Sequence, residues 1–128
     1  MAYNTFKGTV IEGNKMGRKL GYPTANLSTT ETTPPRGVYL AKIKLQNQTF
    51  YGLLNIGIRP TFELTQLCIE VHIFDFKDTI YNQSLHITPL FFIREEIKFN
   101  SIHALQQQMK KDEETAKNYL KNIREPKD

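Results

Sequence analysis

Leu67-Cys68-Ile69-Glu70-Val71-His72-Ile73-Phe74 is the stretch whose reading decides the fold. Its side chains alternate, with Leu67, Ile69, Val71 and Ile73 on one face and Cys68, Glu70, His72 and Phe74 on the other. A period of two, with branched apolar residues on one side, describes a strand that lays one face on a core. Working outward, Phe6 to Glu12, Gly37 to Leu45, Thr49 to Ile56, Leu67 to Phe76 and Leu85 to Arg94 are all rich in β-branched and aromatic residues. Gly, Pro and Asn punctuate the intervals. Gly13 to Gly21 and Ser28 to Arg36 are too polar and too broken for strands and read as long loops.

From Ser101 the period becomes helical. Ser101 can cap the N-terminus, and Ile102, Leu105, Met109, Ala116, Leu120 and Ile123 follow at helical spacings as a packing stripe. Asp112 could cap a second helix, so one helix or two is expected over about 101–123. Strands first and helix last, without βαβ alternation, predict an antiparallel sheet, and closure into a small barrel would remove its edges. The 128 residues suit a single domain, 1–128, with a barrel over about 5–100 and the helical segment after it.

Composition narrows the function. Apolar residues make up 39% and charged residues 23%, which excludes disordered and fibrous classes. The 17 Lys and Arg outnumber 13 Asp and Glu, for a formal charge of +4 that suits an anionic partner. Much of the C-terminal charge alternates in sign and reads as a solvated helix face. Cys68 is the only cysteine, so an intrachain disulfide is excluded, and no Cys/His spacing matches a zinc site. No apolar run reaches the roughly 18 residues of a membrane span, and the N-terminus has no apolar signal core. The cytoplasm is the expected location.

Four groups of residues can carry chemistry. Gly13-Asn14-Lys15-Met16-Gly17-Arg18-Lys19-Leu20-Gly21 combines three glycines with three cations, as a phosphate-binding loop would, although a solvated basic turn has the same composition. It matches neither the P-loop nor the dinucleotide pattern. In Tyr22-Pro23-Thr24-Ala25-Asn26, Pro23 favours extended geometry, so Thr24 and Asn26 share a side. Two neutral hard oxygens beside such a loop would suit Mg²⁺, and would equally suit a self-capped turn. Glu70, opposite the apolar face of its strand, is a candidate general base or a solvent-facing carboxylate. Arg94 could contact an anion or form an ion pair, and Phe99 could stack on a flat ring or fill the core. His72 and His86 are lone histidines on strands and read as structural or exposed.

Taken together and in order, these segments resemble the riboflavin kinase family from Phe6 to about Leu120. The most specific part is Gly17-Arg18-Lys19-Leu20-Gly21-Tyr22-Pro23-Thr24-Ala25-Asn26-Leu27, similar to the family's glycine-rich loop and Pro-Thr-Ala-Asn signature. Gly37-Val38-Tyr39, Asn55-Ile56-Gly57 with Arg59-Pro60-Thr61-Phe62, Ile69-Glu70-Val71-His72-Ile73 and Arg94-Glu95-Glu96 with Lys98-Phe99 support it.

The resemblance implies a mainly β fold, a six-stranded antiparallel Greek-key barrel with a C-terminal helix, binding ATP and flavin on opposite sides of the transfer point. It implies transfer of the γ-phosphate of ATP to the ribityl 5′-hydroxyl of riboflavin, with Glu70 as base. Thr24 and Asn26 would hold Mg²⁺ and face the ATP phosphates. Gly13 and Arg18 would belong to the loop over the nucleotide, Asp75 and Tyr81 would lie near the nucleotide, and Arg94 and Phe99 would lie on the flavin side. Asn14-Lys15-Met16 depart from the more glycine-rich or acidic stretch of many relatives. Bacterial relatives commonly carry an N-terminal FMN adenylyltransferase domain, whose Rossmann-like sequence this chain does not contain. The start at Met1-Ala2, directly before the first strand, suggests an excised domain. Two rivals remain at this point: a basic barrel that binds single-stranded nucleic acid through exposed aromatics, and a flavin- or nucleotide-binding module without turnover. Nucleic-acid binding would not require Thr24, Asn26 and Glu70 together, the inactive module would differ only in turnover, and no nucleic-acid or membrane partner is expected.

Overall fold

Strands form where the period-two segments lie, and each closes on a neighbour. The computed structural model describes residues 3–11, 23–60, 65–76 and 80–124. Its elements are β1 (Phe6–Ile11), β2 (Ala25–Ser28), β3 (Gly37–Leu45), β4 (Gln48–Pro60), β5 (Thr65–Ile73), β6 (Ser84–Arg94) and α1 (Ile102–Arg124). The strands run β1-β2-β5-β4-β3-β6 around a closed barrel, and every pair is antiparallel. Within that order β6-β3-β4-β5 is a Greek key, because three consecutive strands are neighbours and the fourth returns beside the first.

The interior is filled by alternate residues of every strand: Phe6 and Val10, Leu27, Tyr39, Ala41 and Ile43, Leu54 and Ile56, Ile69, Val71 and Ile73, Leu85 and Ile87. The opposite face of β3, β4 and β6 is also apolar. Val38, Leu40, Leu53, Phe91 and Ile93 meet Ala116, Tyr119 and Leu120 of α1, with the Phe91 and Tyr119 rings stacked at 4.5 Å between centroids. The barrel thus has two cores, one inside it and one under the helix. No helix among the described residues is long and apolar enough to cross a membrane.

Some details differ from the expectation, and one alternative it left open is settled. β2 lies in a stretch read only as extended, because four residues bounded by Pro23, Thr24 and polar Ser28 leave too few alternations to mark a strand. β5 ends at Ile73 rather than continuing to Phe76, since Asp75 adopts φ 58° in the turn that follows. The helical segment is one helix: Ser101 Oγ caps it by accepting from Ala104 N–H at 3.1 Å, and Asp112 lies in mid-helix without breaking it. The segment after β2 is also tied down. Thr29 Oγ1 donates to the Lys7 carbonyl at 2.6 Å and Glu31 Oε1 accepts from Lys7 N–H at 2.8 Å, satisfying both backbone groups of that residue.

Candidate active site

The outward positions of the barrel strands form a single row. Ile11 pairs with Asn26, Asn26 with Glu70, Glu70 with Asn55, Asn55 with Val38, and Val38 with Arg94. Direct cross-strand neighbours stand about 5 Å apart, so Glu70 on β5 is flanked by Asn26 on β2 and Asn55 on β4. Thr24 lies two residues before Asn26, immediately ahead of β2. His72 steadies the entry to β2: its Nδ1 lies 2.7 Å from the Pro23 carbonyl. A carbonyl only accepts, so this nitrogen carries the proton and donates.

Beside this row lies a cavity of about 270 Å³. Thr24, Val38, Leu53, Asn55, Glu70 and His72 line it from the barrel, and Ile97, Phe99, Leu105 and Met109, together with charged Arg94, Glu96 and Asp112, line it from the end of β6 onward. Asn55 Oδ1 is buried there with no hydrogen-bond partner, a state that costs about 1–3 kcal/mol when left uncompensated. A cavity that brings four apolar side chains together with a carboxylate, a hydroxyl and a carboxamide suits a flat ligand with a hydroxylated tail.

Two arginine–carboxylate pairs hold the segment between β6 and α1 against the cavity. Arg94 donates to Asp112 through Nε at 2.9 and 3.1 Å and through Nη2 at 2.8 Å, and its Nη1 donates to the Glu95 carbonyl at 3.0 Å. Gln108 Nε2 adds a bond to Asp112 Oδ1 at 3.0 Å. Arg36 reaches Glu96 through Nη2 at 2.7 Å and Nε at 2.8 Å. Glu96 also lies on Gly57, where a Cβ would overlap its Oε2, so the absence of a side chain at 57 lets the carboxylate sit on the strand.

Glu70, Thr24, Arg94 and Phe99 therefore line one cavity, and buried Asn26 stands next to Glu70 in the row. Arg94 forms the ion pair that was one of its two readings, with its Cζ 5.9 Å from the Phe99 ring centroid. Asp75 and Tyr81 do not line this cavity. Asp75 borders a second depression with Lys117 and Lys121, and Tyr81 is an exposed residue of the turn before β6. Gly13 and Arg18 lie outside the described residues.

Sequence reasoning missed the anchoring role of Asp112. The signal was present, since Asp112 falls on the stripe of Leu105, Met109, Ala116 and Leu120, and a charge on an apolar stripe marks a buried pair. It also missed Asn55, whose side-chain direction follows from register alone.

Comparisons with known proteins bear on this geometry. The sequence model of the family described as Flavokinase: Riboflavin kinase matches residues 2–120. The bifunctional riboflavin kinase/FMN adenylyltransferase of Haemophilus influenzae is 44% identical over 115 residues, which is 88% of this chain and 37% of that protein. The RNA-binding riboflavin kinase RibR of Bacillus subtilis is 40% identical over 106 residues, 82% of this chain and 46% of that protein. The chain spans less than half the length of these curated relatives. The crystal structure of riboflavin kinase from Trypanosoma brucei superposes with a TM-score of 0.66 at 20% identity, over 91% of this chain and 79% of that one, which supports the fold.

Proposed function

The chain belongs to the riboflavin kinase family, and we propose that its barrel and helix form one kinase domain that converts riboflavin and ATP to FMN and ADP with Glu70 as general base. The observation that carries this reading is the register that sets Glu70 between Asn26 and Asn55, with Glu70 lining a cavity that also carries Ile97, Phe99, Leu105 and Met109. Phe99, Ile97, Leu105 and Met109 would face the isoalloxazine, leaving the ribityl chain to run towards Glu70. The 5′-oxygen attacks the γ-phosphorus, the bond from that phosphorus to the β–γ bridging oxygen breaks, ADP departs, and the hydroxyl proton passes to Glu70.

Phosphoryl transfer asks the protein mainly for alignment and electrostatic stabilisation. Thr24 and Asn26 offer the neutral hard oxygens that Mg²⁺ accepts, and few protein ligands are needed because water and phosphates supply the rest. Bound there, Mg²⁺ would neutralise charge on the transferring group. Gly13 and Arg18 are assigned to the nucleotide loop, and Asp75 and Tyr81 to the nucleotide side without a chemical step. Arg94 serves the flavin side by holding Phe99 and its neighbours in place through Asp112.

The reading extends to a longer protein with an N-terminal FMN adenylyltransferase domain, in keeping with the bifunctional name of the Haemophilus relative, and to a cytoplasmic location, consistent with a single cysteine. For this chain alone the expected product is FMN without FAD. Incubation with riboflavin, ATP and MgCl₂, followed by chromatography of the flavins, tests it. Wild type should yield FMN, and Glu70→Gln should lose about 10²- to 10⁴-fold in kcat. No FMN from wild type would reject the kinase. FMN at equal rates from both would remove Glu70 from its role. A parallel titration with RNA, prompted by the RNA-binding relative, should show no binding that competes with riboflavin.

A further inference from the structure

We propose that His72 is a positioning residue that ties the Thr24 segment to the strand carrying Glu70 and so sets the phosphate side of the site against the base, an inference that rests on the kinase reading above. The pairing of β2 with β5 runs from Leu27 and Ile69 through Asn26 and Glu70, and ends at Ala25 and Val71. No main-chain donor at residue 23 can carry it on, because proline has no N–H. The side chain of His72 takes over there, with Nδ1 2.7 Å from the Pro23 carbonyl, at the short end for an N–H···O bond. Glu70 and His72 are two residues apart on β5, about 7 Å along the strand, and both are half-buried.

Thr24, Glu70 and His72 line the same cavity, and Thr24 stands just outside the ladder, since β2 begins at Ala25. Its backbone is therefore held to β5 from both sides, by the strand pairing after it and by the His72 bond before it. Phosphoryl transfer needs the attacking and leaving oxygens in line with phosphorus. Glu70 fixes the attacking side, and Thr24 and Asn26 fix the phosphate side, so one strand governs the relation between them. His72 also meets the Phe74 ring edge-on at 5.8 Å between centroids, which gives it a packing role as the rival explanation.

Three variants separate the donor from the ring. His72→Asn puts an amide N–H where the Nδ1–H stands, His72→Gln carries its amide on to the place of Nε2, and His72→Phe keeps a flat ring against Phe74 but donates nothing. For each, FMN formation, MgADP binding by calorimetry and melting temperature are measured. His72→Phe and His72→Gln should lower kcat about 10- to 100-fold, because a misplacement on the order of 1 Å suffices. They should weaken MgADP binding about 2- to 10-fold, with KM for riboflavin changing less than kcat. His72→Asn should recover most of both losses. His72→Phe with the kcat and MgADP affinity of wild type would make the bond dispensable and overturn the proposal. His72→Asn as impaired as His72→Phe would give the effect to the ring and also overturn it. A lower melting temperature with kcat and MgADP affinity unchanged would leave the bond a merely structural role, with the same result. If His72→Phe does not fold, the contrast between His72→Asn and His72→Gln decides in the same way. Wild type that makes FMN while all three variants match it overturns the inference alone, whereas wild type that makes no FMN overturns the kinase reading.

Discussion

Tyr39 stands inside the barrel, its ring edge-on to Tyr3 at 5.2 Å and to Phe92 at 5.3 Å, with its hydroxyl donating to the Pro35 carbonyl at 2.6 Å. Burial, with a smaller contribution from Tyr3, holds its ionisation above the ordinary tyrosine value. The unfolded chain deprotonates near pH 10 while the folded chain does not, so this contribution is intact below about pH 10 and declines above it. Tyr39→Phe should lose about 1 kcal/mol at neutral pH with the Pro35 bond, and its deficit against wild type should shrink between pH 10 and 11 in urea titrations. A deficit that is constant with pH would mean that the phenol does not titrate with folding. At this scale the sequence was informative where period alone decides direction, as for Glu70. It was silent where a partner lies far away, as for the bond between Tyr39 and Pro35 or the unsatisfied Asn55, because those depend on which strands become neighbours.

Helix α1 does two jobs along its length. Its C-terminal half, with Ala116 and Leu120, packs on β3, β4 and β6, while Leu105 and Met109 wall the cavity and Ile102 and Ile123 at its ends stay exposed. Between the halves Asp112 pins it to β6, its side chain 4% exposed against 17% for Arg94. Removing one partner leaves the other charge without compensation, so Asp112→Ala should cost about 3 kcal/mol in urea unfolding. The paired change Arg94→Met with Asp112→Leu should recover most of that while still displacing Phe99, which would show as a raised KM for riboflavin. If the single and double variants are equally stable, the pair does not hold the helix. The apolar stripe and the cap at Ser101 were legible beforehand. The continuity of the helix through Asp112 was not, since an aspartate that caps and an aspartate that pairs look alike until β6 is placed beside it.

For the whole molecule, the barrel and helix share one cavity, so binding should stabilise both as a unit. Riboflavin at about 100 times its Kd should add about 2.7 kcal/mol and raise Tm by about 10 °C in a single transition. Separate melting of helix and barrel, or a shift confined to one of them, would contradict a shared site. The fold class was legible from alternation and the change of period at Ser101, and six strands in a Greek-key barrel were what the family resemblance implied, while the order of strands came from the structure. The row from Ile11 to Arg94 has a last consequence, for how such a chain can tolerate change over descent. Because its side chains are aimed by strand parity, a residue gained in the turn at 46–47 leaves every member facing outward. A single deletion in β5 ahead of Glu70 would turn the carboxylate into the barrel. Turns are thus free to lengthen among lineages, whereas the strands that carry the site can change length only by two residues at a time.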